Sequence, residues 1–230
     1  MAASSGKQRA MNKGLLTVVS LCAGDKYGPE YVNRLKAAVA RNLSIPHRFI
    51  CMTDRPQGLD CETLPVPMNL PGWWGKIAVF NKKLFPGRRL FIDLDSVITG
   101  NLDDFAAYTG KLAVIRPFPG DRDNGINSGL MNIAPGAYAQ IWKKFSVNPQ
   151  AAVQYCVANA VPAWNCGDQR WLELMIKEKL DYWQDLNPGQ VVSYKFHCQQ
   201  GLPDNARVVS FHGKPDPHDV TDVWVKENWI

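Results

Sequence analysis

The chain has 230 residues, 46% of them hydrophobic and 20% charged, with 26 Lys and Arg against 21 Asp and Glu for a net charge of +5. Three of those charges, Lys7, Arg9 and Lys13, fall within the first fourteen residues, so the remainder is nearly balanced and carries no basic motif that would argue for nucleic acid. No run approaches the ~18–20 apolar residues of a membrane-spanning helix, and a chain of this size buries a sufficient core without staples.

The stretch MAASSGKQRAMNKG (1–14) has no acids and little apolar bulk, and reads as a disordered tail or cloning remnant without a signal-type segment. Residues 15–220 are expected to form one domain, with 221–230 a peripheral C-terminal tail. The six cysteines form no C-x-x-C pair and read as free thiols, which points to a reducing, cytoplasmic setting. The small positive balance leaves room for contact with a membrane surface or an anionic substrate.

In chain order, GLLTVVSLC (14–22) is a buried strand, Ala23-Gly24-Asp25 a turn, and Pro29 the first turn of a helix with Tyr31, Leu35, Ala38 and Val39 on one face. HRFICM (47–52) is the next strand, so the chain opens with a βαβ unit and a parallel sheet. A Pro-rich stretch leads to Gly72-Trp73-Trp74-Gly75, and Ile77, Phe80, Asn81 and Leu84 suggest a short amphipathic helix ending before Pro86. Strands are expected at 89–92, 112–115, 129–133 and 206–211, and helices at 138–145 and 168–179. Asp103 and Asp104 open another short helix, where acids suit the dipole.

The strand 89–92 runs directly into Asp93-Leu94-Asp95. Residues two apart in extended chain face one side, so both carboxylates can converge on one cation, which removes their mutual repulsion. Hard oxygens suit Mg²⁺ or Mn²⁺, and an added imidazole favours Mn²⁺; His212, directly after an apolar strand, is the candidate. Two other readings stay open. Asp95 can cap a turn, or Asp93-Leu94-Asp95-Ser96-Val97 can serve as the nucleophile and acid of a haloacid dehalogenase-like phosphohydrolase. Ligands of parallel α/β sheets bind beyond the carboxyl ends of strands. The turn at 23–27, Asp93–Asp95, Asn127-Ser128 and His212–Lys214 are the polar clusters expected there. Trp73, Trp74 and Trp164 flank that region, as core or as platforms for sugar rings.

Taken together, TVVSLCAGDKY (17–27), GKIAVFNKKL (75–84), LFIDLD (90–95), INSGLMNI (126–133), CGDQRWL (166–172) and FHGKP (211–215) resemble, in order, the blocks of the GT-A fold nucleotide-sugar glycosyltransferases, most closely glycosyltransferase family 8, the glycogenin and bacterial galactosyltransferase group. The resemblance implies an α/β, Rossmann-like and mainly parallel central sheet flanked by helices. It implies transfer of a hexose from a UDP-sugar to a glycan or other hydroxyl acceptor, with Mn²⁺ or Mg²⁺ and retention of configuration; a catalytically silent sugar-nucleotide module on the same fold is the other outcome.

The implied donor-binding set is Leu21, Cys22, Tyr27, Lys76, Asp93, Leu94, Asp95, Asn127, Ser128 and Lys214. The implied metal ligands are Asp93, Asp95 and His212, and the implied reaction-centre residues are Asp168, orienting the donor sugar, and Gln169. Asp168 also stands where a helix cap belongs, and as a general base it would invert the product instead. The spacing from His212 to Lys214 is shorter than in that family, which leaves His218 as a rival ligand.

Overall fold

The computed structural model describes residues 15–118, 125–162 and 165–230; the N-terminal tail 1–14 and Trp164 lie outside them. The apolar, β-branched run expected first is β1 (Leu16–Cys22), followed by α1 (Pro29–Asn42) and β2 (His47–Thr53). Helix α1 starts at a proline, carries Glu30 in its first turn and Arg41 in its last, and buries Tyr31, Val32, Leu35, Ala38 and Val39. Then come β3 (Glu62–Pro65), a 3₁₀ helix (Gly72–Phe80), β4 (Arg89–Ile92), β5 (Ser96–Ile98), α2 (Asp103–Ala106), β6 (Leu112–Ile115) and β7 (Asn127–Ile133). The second half holds α3 (Ala139–Phe145), α4 (Pro149–Ala158), α5 (Asp168–Met175), β8 (Asp181–Tyr182), α6 (Trp183–Leu186), β9 (Val191–Ser193), α7 (Tyr194–His197), β10 (Val208–Ser210) and α8 (Val223–Asn228).

The main sheet has the order β3-β2-β1-β4-β7-β6-β8. β1 pairs in parallel with both β2 and β4, so the strand order reverses between β1 and β4, where a doubly wound sheet opens its crevice. β7 alone runs antiparallel to its neighbours β4 and β6. The expected α/β sheet is thus present and mainly parallel.

Alternation along the strands divides the core. Val18, Leu90 and Ile92 face α1 and Trp183, whereas Val19, Ile50 and Phe91 face the 3₁₀ helix, α3, α4 and α5. Each such side chain contributes roughly 1.5–3 kcal/mol by leaving water.

Three expectations are corrected. The helix between the Pro-rich stretch and Pro86 is not an amphipathic one beginning near Ile77; it is a 3₁₀ helix that ends at Phe80 and buries Trp74 through Phe80 without a break. Helix α5 stops at Met175, four residues short, because the chain turns there toward β8. The closing segment is docked: Val225 is buried with Val97, Val209 and Phe211, and Trp229 packs edge-on to Tyr31.

β5, β10 and β9 form a second, three-stranded sheet, with β10 antiparallel to β5 and parallel to β9. The pairing Ser210↔Ser96 and the bond from Phe211 N–H to the Asp95 carbonyl (3.0 Å) place the start of His212-Gly213 beside the acidic motif.

Candidate active site

β4 delivers its carboxylates through a tight exit. Asp93 N–H donates to the Gly129 carbonyl on β7 (2.8 Å), and Ser96 N–H closes the turn onto the Asp93 carbonyl (3.2 Å). Gly129 gives these side chains room: a Cβ there would lie 3.0 Å from Asn127 Oδ1 and 3.4 Å from Asp93 Oδ2. Because β7 is antiparallel, its first residues, Asn127 and Ser128, stand at the same sheet edge as the last residues of β1 and β4. The expectation of a strand's carboxyl end for these two is corrected: they reach the crevice from the amino end of β7.

A cleft of about 540 Å³ opens at this edge, within the usual size of a small-molecule site. Its walls include Leu21, Cys22 and Tyr27 after β1, Lys76, Asp93-Leu94-Asp95, Asn127, Asp168-Gln169, and His212 from the second sheet. Ser128 lies beneath that floor, fully buried. Of the expected donor-binding residues, Lys214 is the one the structure keeps apart. Its exposed ammonium pairs with Asp216 Oδ2 (2.7 Å) and Asp219 Oδ2 (3.1 Å). His218 is also outside the cleft walls, with Nδ1 on the Tyr31 hydroxyl and Nε2 3.2 Å from Asp219.

The floor is a buried charge network. Lys76, 7% exposed, places Nζ 2.8 Å from the Asp93 carboxylate, 3.7 Å from Asp168 Oδ2, and donates to Ser128 Oγ (3.0 Å). Ser128 in turn donates to Asp168 Oδ2 (2.6 Å). Asp168 is therefore not a cap. Gly167 occupies the N-cap position without a side-chain bond, and the Asp168 carboxylate turns inward to Ser128 and Lys76. Burial pulls the Lys76 pKa down, but Asp168 and Asp93 outweigh it and the net shift is upward, so the ammonium stays charged. Burial also raises the Asp93 carboxyl, against the pull of Lys76. Burial and the neighbouring Asp93 push Asp95 up to about 7.

Asp95 does not cap its turn either. It accepts from the Tyr27 hydroxyl (3.2 Å), which also lies 3.1 Å from Asp216 Oδ1. Burial raises the Cys22 thiol, which suits packing rather than reaction. All six cysteines are free.

Three carboxylates, Asp93, Asp95 and Asp168, thus face one buried ammonium. That imbalance and the hard oxygen donors fit a divalent cation. His212 lines the same cleft, stacks on Phe118 (5.2 Å between centroids) and meets Ser193 Oγ through Nε2 (2.7 Å). Among the described residues, no three His, Cys, Asp or Glu side chains are drawn together as a ready-made metal cage.

Asn165, Gly167 and Trp73 also line the cleft, and Asp216 supports Tyr27 from behind. Of these, only Trp73 is singled out by the sequence, as core or platform. The available signal was adjacency: Asn165 and Gly167 bracket Cys166, next to Asp168.

No family model matches the chain, and no curated protein matches it at a significant level. Solved structures do. The glycosyltransferase GlyE of Streptococcus pneumoniae TIGR4 superposes with a TM-score of 0.64 and 14% identity, over 95% of this chain and 61% of GlyE. The galactosyltransferase LgtC, solved with donor and acceptor sugar analogues, gives 0.61 and 13%, over 92% of this chain and 93% of LgtC. The bifunctional glycosyltransferase WbbM gives 0.62 and 10%, over 94% of this chain and 50% of WbbM. The chain therefore spans less than two thirds of GlyE and half of WbbM. Among the described residues no helix is long and apolar enough to cross a membrane. At these identities the likeness is one of architecture, and the chain has the GT-A fold seen in these glycosyltransferases.

Proposed function

We propose that the chain is a metal-dependent glycosyltransferase that moves a hexose from a UDP-sugar to a glycan or other hydroxyl acceptor, with retention of configuration. The observation that carries this reading is the carboxylate pair Asp93 and Asp95 at the floor of the cleft between β1 and β4, facing Lys76 and His212 on a glycosyltransferase fold.

Leu21, Cys22 and Tyr27 form the wall for the nucleoside, beside the switch point of the sheet. Asp93 and Asp95, with His212, are the residues that would hold Mn²⁺ or Mg²⁺. The bound ion would supply Lewis-acid stabilisation of the diphosphate. Lys76 adds a fixed, pre-oriented positive charge at the same place. Asn127 meets the donor sugar's hydroxyls, and Ser128 holds Asp168 in orientation.

Asp168 already accepts from Ser128 and lies against Lys76, an arrangement suited to orienting the donor sugar rather than to taking a proton from an acceptor. Gln169 follows it on the wall of the cleft. This favours retention, and the anomeric configuration of the product, read by NMR, tests it: an inverted product would refute the assignment.

Thermal unfolding with Mn²⁺, UDP or both tests the donor reading. Ligand at one hundred times Kd stabilises by about 2.7 kcal/mol, or roughly 5–10 °C for a chain of this size. That shift is expected only with both present, and Asp95→Asn should lose it. A flat response together with phosphate-ester hydrolysis would instead establish the phosphohydrolase. UDP binding without UDP-sugar turnover would leave a silent binding module.

A further inference from the structure

Two adjacent tryptophans enter the site region and part company. Trp74 is buried and stacks on Phe145, with centroids 5.6 Å apart and planes within 19°. Trp73 lines the cleft with 58% of its surface exposed. Both lie in the 3₁₀ helix Gly72–Phe80. Residues three apart eclipse in such a helix, so Trp73 stands on the ridge of Lys76, one turn from the ammonium that meets Asp93.

The seat of the indole is built. A Cβ on Gly167 would come within 2.8 Å of Trp73 Nε1 and 3.2 Å of Cδ1. Any side chain at 167 would push the ring off its perch. Gly167 is the N-cap of α5, so the bare indole lies against the start of the helix whose first residues are Asp168 and Gln169. Core packing does not account for it, because Trp74 already fills that role.

We propose that Trp73 is the stacking platform for the pyranose ring of the acceptor. The inference rests on the glycosyl-transfer reading and names the class of acceptor: a hexopyranoside that presents a C–H face. The π-face of an indole is electron-rich and attracts the polarised C–H groups on one side of a pyranose, without any charge on the sugar. The polar groups that suit the donor hexose, Asn127, Ser128 and Asp168, are buried in the floor. Trp73 is on the outer wall, where the second ring arrives.

The test uses the full chain with UDP and Mn²⁺, and titrates methyl β-D-galactopyranoside, methyl β-D-glucopyranoside and methyl α-D-mannopyranoside by ligand-observed NMR. At least one glycoside should bind the wild type through its ring C–H groups. In Trp73→Ala the affinity for that glycoside should fall about tenfold or more relative to the affinity for UDP. Trp73→Phe, which keeps an aromatic face, should recover most of it. Absence of glycoside binding to the wild type, undiminished binding to Trp73→Ala, or a proportional loss of UDP and glycoside affinity would overturn the proposal. If UDP is still released from a UDP-hexose in those cases, only this inference fails. If the wild type neither binds UDP nor turns over any UDP-hexose, the donor reading fails and the acceptor assignment goes with it.

Discussion

Lys76 holds two carboxylates with one ammonium. Breaking a buried pair strands the remaining charges, and the loss is typically 3–5 kcal/mol. Lys76→Met should therefore destabilise the protein by about 3 kcal/mol in urea unfolding, as well as removing donor turnover. A Lys76→Met variant of wild-type stability would contradict the reading of Lys76 as the partner of Asp93 and Asp168.

Asp216 is a second test at this scale. Burial raises its carboxyl, but the hydrogen bond from Lys214, the charge of Lys26 and the hydroxyl of Tyr27 outweigh burial and the net shift is downward. A folded pKa below the unfolded one means stability that is fully present above the unfolded value near 3.8 and is lost as pH falls through the folded value. Asp216→Asn should lower Tm at pH 7, and the gap to wild type should close in acid. A gap that widens on acidification would contradict the assignment.

Some of these residues were legible and others were not, for reasons of distance. Asp93 and Asp95 stand out because an apolar strand ending in two acids has few uses. The inward turn of Asp168 was hidden, because N-cap and N1 differ by one residue and sequence does not resolve that shift. Lys214 reads as a phosphate ligand by its place in a block, yet Asp216 and Asp219, two and five residues on, claim it locally.

At the scale of the element, the 3₁₀ helix Gly72–Phe80 decides which residues reach the cleft. Its three-residue period separates Trp73 and Lys76 from Trp74, whereas a period of 3.6 would blur that division. Apolar periodicity alone could not reveal it, since Trp74 through Phe80 are all buried and no face is polar.

Arg89 anchors this helix. It is fully buried, and its guanidinium donates to the carbonyls of Val79 (2.7 Å), Gly87 (3.2 Å) and Ala134 (3.0 Å), tying the helix to the start of β4 and the end of β7. Each buried carbonyl left without a donor costs about 1–3 kcal/mol. Arg89→Ala should therefore lose about 3 kcal/mol or more in chemical denaturation. Arg89→Lys should recover only part, because an ammonium cannot match the planar fork. The sequence showed this arginine only as the first letter of a strand. Its role depends on carbonyls ten and forty-five positions away.

At the scale of the whole molecule, the cleft has walls from two sheets. The main sheet supplies the β1 loop, the acids and β7. The small sheet supplies His212. In the main sheet β1, β2, β4, β6 and β7 were legible from their apolar runs, which are four to seven residues long, whereas β3 and β8, with no buried side chain between them, were not. Of the small one, β10 lies inside the strand expected at 206–211, whereas β5 and β9, three residues each, gain their identity only by pairing across the chain. If both sheets clasp the same ligand, UDP with Mn²⁺ should slow amide exchange in 22–27 and in 211–213 together. Protection confined to one of the two segments would argue against a shared site.

The bond from Phe211 to Asp95 has a further consequence for how the protein is made. More than a hundred residues separate the two partners. On the ribosome, β5 emerges long before β10 exists to pair with it, and an unpaired strand edge is a template for wrong partners. At ~5–20 residues per second the exposure lasts on the order of ten seconds. β5 is only Ser96–Ile98, and a strand so short offers little to a stray edge during that wait. Its brevity, which hid it from the sequence, is what protects the nascent chain until the last wall of the cleft arrives.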